Sequence, residues 1–187
     1  MLKIKKINSN DISFSRDLQS HISKRKVNTS DIKEKVRMII SEVKSKRDKA
    51  LVKYSKEYDN YDVQSANELE ISKEECLEAL KKISKEELEA LKFAKSRIQE
   101  FSEHQKTKPW NYTSKGITLG EKITAIDKVG LYVPGGSAAY PSSVLMNSIP
   151  AKVAGVKEIT MVFPSPKGKV NNMVLAAAYL GGVDRIF

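Results

Sequence analysis

The sequence predicts an α/β protein in which a helical region is followed by a small parallel sheet of the order βαβαβ. Three observations support this prediction. Residues 29–105 place apolar side chains at helical spacing, residues 128–187 alternate short β-branched runs with helical stretches, and Pro134-Gly135-Gly136 breaks the chain between a strand and a helix. Strands that alternate with helices are typical of parallel sheets. The sheet is expected to be half of a Rossmann-like fold, and incomplete.

Three regions follow from this pattern. Residues 1–28 hold few apolar side chains and are expected to form an extended N-terminal arm. Residues 29–127 are expected to be mainly helical, with a short extended crossing at their end. Residues 128–187 are expected to form the first half of a Rossmann-like nucleotide-binding domain, truncated after its third strand.

The helical region is predicted from apolar periodicity and from its caps. A stripe at i, i+4, i+7, i+8 and i+11 indicates a first helix, and residues 48–62 indicate a second that ends in Asp and Asn. Ser72 with Glu75, and Ser84 with Glu87, form the serine–glutamate pairs that begin helices. The stripes are Ile32, Val36, Ile39, Ile40 and Val43; then Cys76, Leu77, Leu80 and Ile83; then Leu88, Leu91, Ile98 and Phe101. The last two stripes are expected to be core.

The crossing begins where Pro109 and Trp110 end the fourth of these helical stretches. Trp110 is expected to plug the junction between the two regions rather than to stack on a ligand. Glycines at 116 and 120 and the alternation of Ile117, Leu119 and Ile123 then predict a short hairpin or an extended crossing.

The sheet region contains apolar runs at 129–133, 159–163 and 183–187, which are predicted as strands. Ser142 or Ser143 is expected to cap the first intervening helix, and Gly155 to end it. Gly181-Gly182 is expected to close the second. A sheet that stops after three strands leaves bare N–H and C=O groups along residues 183–187, so the chain is expected to be marginally stable or to associate.

Composition and charge narrow the function. The chain has 33 Lys and Arg against 23 Asp and Glu, a net charge of +10. The lysines are mixed with glutamates through residues 31–105, which is typical of solvated helix faces, so nucleic-acid binding is a minor alternative. No apolar run approaches the ~20 residues that span a membrane, and the expected location is the cytoplasm. Cys76 is alone and expected to be buried, while His21 and His104 are expected at the surface, with no zinc ligand set.

The loop after the first strand is the candidate ligand site. Gly135 and Gly136 allow the backbone to approach a phosphate or nucleotide, and the next helix offers N–H groups at its positive end. The loop has neither G-x-G-x-x-G nor the P-loop spacing. From these residues alone, a nucleotide-binding loop and a plain strand-to-helix turn remain equally open.

The sequence in and around this loop resembles that of the histidinol dehydrogenase family. The resemblance rests on GLYVPGG, AAYPSSVLMN and IPAKVAGVKEI. It implies an NAD-dependent, zinc-containing oxidoreductase that converts L-histidinol through the aldehyde to L-histidine, working as a homodimer in which the N-terminal segment takes part. Because family members are more than twice as long, the chain is expected to be an N-terminal portion, and the gene to read on past Phe187.

The resemblance also assigns residues. It implies that Tyr132 contacts NAD, that Pro134 lines the same surface and that Tyr58 lies near the cofactor. The family's zinc ligands and its Glu-His acid–base pair have no counterpart in residues 1–187, so no catalytic or metal residue is assigned and the chain is expected to be inactive by itself. Arg47 stands where the family usually has glycine, which suggests a different turn. The alternative is a standalone nucleotide-binding or scaffold module.

Overall fold

The computed structural model describes residues 6–23, 29–135 and 139–187. The chain divides into two compact units, Met1–Arg47 and Asp48–Phe187. Each unit is described by itself below.

The described residues of the first unit form the helices α1 (Phe14–Ser23) and α2 (Thr29–Lys46). The prediction of an extended arm over residues 1–28 was therefore wrong for residues 14–23. The backbone N–H of Asp17 donates to the carbonyl of Ser13 at 2.9 Å, and the Ser13 hydroxyl donates to the Asp17 carboxylate at 2.8 Å. These bonds begin a short helix whose apolar residues are too few to show clearly in the sequence.

Helix α2 confirms the predicted periodicity, but its apolar face is largely exposed: Ile32, Val36 and Ile40 all lie open to solvent. Arg47, which follows the helix, has a φ of 53°. This left-handed conformation is one that glycine adopts without strain. Arg47 thus holds a backbone shape that a glycine at this position would adopt freely.

The second unit begins with α3 (Asp48–Asp59), a 3₁₀ turn (Ala66–Leu69), α4 (Lys73–Lys82) and α5 (Lys85–His104). Both predicted serine–glutamate caps are confirmed. The N–H groups of Glu75 and Glu87 each donate to the preceding serine hydroxyl at 3.1 Å, and each glutamate carboxylate accepts from the serine N–H at 2.8 and 2.7 Å. Because these bonds join residues three apart, local sequence was sufficient to predict them.

The predicted apolar stripes of α4 and α5 are only partly buried. Cys76 and Leu91 belong to the core, as expected. Leu77 and Phe101 do not, and Phe101 is 65% exposed. The prediction that these two were core was wrong because each helix presents one narrow strip to its neighbours, and both residues lie beside that strip.

A hairpin of β1 (Trp110–Ser114) and β2 (Ile117–Glu121) follows and confirms the predicted crossing. Lys115 and Gly116 turn the chain with φ angles of 49° and 77°, the left-handed pair that two-residue hairpin turns need. The prediction that Trp110 plugs a junction was wrong. Its side chain is 53% exposed, stacks on Tyr112 at 6.2 Å between ring centroids and donates to the Glu121 carboxylate at 3.0 Å.

The sheet consists of β3 (Lys128–Tyr132), β4 (Glu158–Val162) and β5 (Arg185–Ile186), all parallel, in the order β3-β4-β5. Helices α6 (Pro141–Val153) and α7 (Asn172–Gly181) connect them, which confirms the predicted βαβαβ order. Gly155 and Gly182 end the helices at φ angles of 93° and 73°. The predicted serine cap of α6 was wrong: the helix begins at Pro141, and Tyr140 precedes it without a side-chain cap.

One face of the sheet carries the core. Ile159, Met161 and Ile186 are buried there, in one cluster with apolar residues of α4, α5, α6 and α7. Helices α6 and α7 approach closely where Gly181 meets Ser148, because a Cβ on Gly181 would overlap the Ser148 hydroxyl. That hydroxyl is buried and donates to the Val144 carbonyl at 2.8 Å. A side chain at position 181 would therefore force these helices apart.

The two edges of the sheet differ. At β5, the N–H of Ile71 donates to the carbonyl of Ile186 at 2.9 Å, and Arg185 makes two hydrogen bonds of 2.8 and 2.9 Å to Glu70. The prediction of a bare edge at residues 183–187 was thus wrong at Ile186, since a distant segment pairs there. Among the described strands, β3 pairs with β4 alone, so the open edge is β3.

Asp184 anchors the start of β5. Its carboxylate accepts from the Lys152 ammonium at 2.7 Å and from the buried N–H of Ile159 at 2.8 Å, while its own N–H donates to the Ile159 carbonyl at 2.9 Å. The carboxylate thus replaces the backbone carbonyl that a longer β5 would supply. Burial raises the pKa of Asp184, but the bonds from Lys152 and Ile159 outweigh it and hold that pKa below its usual value.

Candidate functional site

The candidate site lies at the carboxyl ends of β3 and β4. Tyr132 is the last residue of β3 and pairs in register with Val162, the last residue of β4. Side chains alternate along a strand, so Tyr132 lies on the sheet face opposite to the core. Its side chain is 66% exposed. Gly130 lies on the same face with nothing within 4 Å of where a Cβ would stand, so this face is open around the Tyr132 ring.

The loop after β3 leaves the sheet directly beside Tyr132. Val133 is fully buried, and its N–H donates to the Val162 carbonyl at 3.0 Å, which extends the pairing by one residue. Pro134 and Gly135 then turn outward and are exposed. A Cβ on Gly135 would stand 3.1 Å from Cδ of Pro164, which follows β4. The loops after β3 and β4 therefore touch.

Helix α6 begins a few residues later and carries no acidic residue in its first turn. Pro141 is its first residue, and the N–H groups of Ser143 and Val144 turn back to the Tyr140 carbonyl at 3.1 and 3.4 Å. Residues 136–138, which include the predicted Gly136, lie outside the described residues. The helix dipole adds a partial positive charge at this end of the sheet.

Groups with perturbed pKa values lie away from this edge. Burial, reinforced by Glu75 and Glu74, raises the pKa of the Cys76 thiol to about 11, which keeps it protonated at neutral pH. Asp184 stands at the start of β5, the opposite end of the sheet. Within residues 6–23, 29–135 and 139–187, no group of three or more His, Cys, Asp or Glu side chains is placed to hold a metal ion. His21 and His104 are exposed, as predicted.

Two grooves also lie elsewhere. A groove of about 510 Å³ runs between Pro109, Ile123 and Ile126 and the end of α6, and a smaller one of about 260 Å³ lies between Cys76, Tyr179 and Asp184. The carboxyl edge, in contrast to these grooves, is an open surface. It carries an exposed aromatic ring, two touching loops and a helix N-terminus.

These features define a class of protein. A parallel βαβαβ unit with the strand order seen here is one half of a doubly wound sheet, and such sheets bind ligands at the carboxyl ends of their strands. The second unit therefore has the architecture of half of a doubly wound α/β domain.

Comparison with known proteins identifies the family. The histidinol dehydrogenase family model matches residues 22–187, so the chain belongs to the histidinol dehydrogenase family. Histidinol dehydrogenase of Hydrogenovibrio crunogenus is 44% identical over the whole chain, and that of Nitrosomonas europaea is 45% identical. The chain spans 43% and 44% of the length of these two relatives.

A solved structure supports the same relationship. The crystal structure of histidinol dehydrogenase from Elizabethkingia anophelis matches 87% of this chain with a TM-score of 0.77 and 32% sequence identity. The match covers 36% of that chain. Among the described helices, none is both long and apolar enough to cross a membrane.

The structure brings Tyr132 and Pro134 together at the carboxyl edge, and their contact with NAD stays a prediction. Tyr58 lies near the end of α3, partly exposed, with its ring stacked on Tyr54 at 5.6 Å between centroids. Helix α3 contacts the loop after β4. The role of Tyr58 also stays a prediction. Sequence reasoning missed Tyr61, whose ring contacts Gly168 in the loop after β4. These two residues are far apart along the chain, so no local signal in the sequence marks their contact.

Proposed function

We propose that this chain supplies the N-terminal part of an NAD-dependent, zinc-containing L-histidinol dehydrogenase of histidine biosynthesis. The enzyme would oxidise the alcohol of L-histidinol through the aldehyde to the carboxylate. The observation that carries the proposal is the family match over residues 22–187, which includes the whole carboxyl edge around Tyr132.

In this proposal the carboxyl edge contacts NAD. Tyr132 offers its exposed ring to the dinucleotide, and Pro134 lines the same surface. Gly135 supports this assignment, because its packing on Pro164 leaves backbone rather than side chain at the surface. Backbone that a ligand can approach closely is what a dinucleotide needs.

The catalytic groups are proposed to lie outside residues 1–187. The donor set among the described residues does not fit zinc, since no three potential ligands converge there. We derive no step through the metal from this chain. By itself the chain is expected to form no NADH from histidinol, and a coupled absorbance assay at 340 nm tests that expectation directly.

Assembly and location complete the proposal. The full enzyme is proposed to be a homodimer, and the exposed apolar face of α2 is one surface that suits an association. The cytoplasm is the proposed location, where the single buried Cys76 would stay reduced. Sedimentation of the full-length enzyme would measure its oligomeric state, and cell fractionation would test its location.

Titration of the purified chain with NAD tests the nucleotide site. Tyr132→Ala is expected to weaken binding about tenfold, because loss of an aromatic ring that packs on a ligand costs ~1.4 kcal/mol. Tyr112→Ala is the matched control, since Tyr112 is similarly exposed but lies on the hairpin. It should leave binding unchanged.

The outcomes separate the two functions. Binding that Tyr132→Ala weakens and Tyr112→Ala does not supports the nucleotide site. Absence of binding at millimolar NAD would contradict it and leave a scaffold role. Binding without any contribution to turnover, once the chain is combined with the rest of a full-length relative, would favour a standalone nucleotide-binding module.

A further inference from the structure

The loop after β4 has a conformation that needs external support. Pro166–Gly168 forms a 3₁₀ turn in which the N–H of Gly168 donates to the Ser165 carbonyl at 2.8 Å. Lys167 and Gly168 both have left-handed backbones, with φ angles of 60° and 66°. A lysine in this region is strained relative to the right-handed form. Contacts from the surrounding structure can hold a loop in such a shape.

Tyr61 supplies such a contact. A Cβ on Gly168 would stand 2.7 Å from Cε2 of the Tyr61 ring, so the ring lies directly on the bare backbone of Gly168. Any side chain at position 168 would collide with it. The contact joins the segment after α3 to the loop after β4.

Tyr61 is tied to α3 through its backbone, because its main-chain N–H donates to the carbonyl of Ser55 at 3.1 Å. The hydroxyl lies 3.5 Å from the Glu68 carbonyl, a distance too long for a strong hydrogen bond. Asn60, just before it, has a left-handed φ of 52°, which turns the chain out of the helix. The ring is thus part of the α3 framework rather than of the loop.

This contact reaches the candidate site. Pro164, at the start of the same loop, touches Gly135, and Gly135 follows Tyr132 and Pro134. We propose that Tyr61 is a positioning residue that fixes loop 165–169 and, through Pro164, the shape of the dinucleotide surface. The dinucleotide part rests on the proposed function. Lys167 and Lys169 are both exposed in this loop and add positive charge to it.

Limited trypsin digestion tests the first half without any ligand. Trypsin cleaves after Lys167 and Lys169, and cleavage needs the loop to open. Tyr61→Ala is expected to raise the initial cleavage rate at these two sites about tenfold, while cleavage after Lys115 in the hairpin turn stays constant as an internal control. Tyr61→Phe keeps the ring and should match the wild type at all three sites.

NAD titration of the same variants tests the second half. Tyr61→Ala should weaken binding about fivefold, and Tyr61→Phe should restore it, which a general loss of stability would not reproduce. If Tyr61→Ala fails to fold, Gly168→Ala disturbs the same contact from the loop side and should show the same faster cleavage.

Each result decides part of the proposal. Unchanged cleavage at Lys167 and Lys169 in Tyr61→Ala, or equal loosening in Tyr61→Phe, overturns it. Faster cleavage together with unchanged NAD affinity overturns the link to the nucleotide surface. Faster cleavage with no NAD binding even by the wild type contradicts the proposed function and the dinucleotide half, while the loop-fixing role of Tyr61 stands.

Discussion

Replacing Asp184 tests how much its hydrogen bonds at the start of β5 contribute to the free energy of unfolding. In Asp184→Ala the N–H of the buried Ile159 loses its acceptor, which costs ~1–3 kcal/mol. The ion pair with Lys152 adds ~0–1 kcal/mol, because both side chains are about a third exposed. The free energy of unfolding should fall by about 1–4 kcal/mol. With a urea dependence of about 2 kcal/mol per M, the midpoint should drop by about 0.5–2 M.

Asp184→Asn is the matched control. Its amide oxygen can still accept from Ile159, so only the charge is lost and the midpoint should drop by about 0.5 M. Because the folded pKa of Asp184 is lowered, the charge stabilises the fold at neutral pH. This contribution is lost as the pH falls below ~3.9 through the lowered folded value. Equal midpoints for Ala and Asn at pH 7, or a gap between wild type and Asn that does not narrow as the pH falls below ~3.9, would contradict this role of Asp184.

Three further predictions concern packing and exposure. Gly181→Ala should lower the free energy of unfolding by ~1–3 kcal/mol, and adding Ser148→Ala should recover part of that loss; full additivity of the two would contradict the contact. Cys76 should react with a thiol reagent only through unfolding, since a pKa of about 11 leaves ~0.1% thiolate at pH 8, and labelling that urea does not accelerate would argue against this. Trp110, the only tryptophan, should emit like solvated indole and be quenched by iodide; blue-shifted emission would show the hairpin covered.

Local signals in the sequence predicted the elements well. The caps at Ser72 and Ser84 join residues three apart, and the turn glycines Gly155 and Gly182 take the left-handed conformation that ends a helix. The alternation of strand and helix patterns predicted the βαβαβ order, because each pattern also lies within its own short segment. Helix α1 was missed because its few apolar residues gave too weak a pattern.

Burial was predicted less well, because it depends on partners that are distant in sequence. Trp110 was expected to plug a junction and Phe101 to be core, yet both are largely exposed. The pairing of Ile71 with Ile186 and the ring of Tyr61 on Gly168 join segments far apart along the chain. No periodicity or motif signals such contacts. The position of Tyr132 was predictable because strand order alone places it.

The carboxyl edge around Tyr132 is proposed to be a dinucleotide surface. Amide chemical-shift mapping of the labelled chain during addition of NAD tests this proposal directly. We expect shifts concentrated at residues 132–135 and 163–169, with the hairpin unchanged. Shifts that cluster instead around Ile123 and Ile126, in the groove at the end of α6, with none at Tyr132, would contradict it.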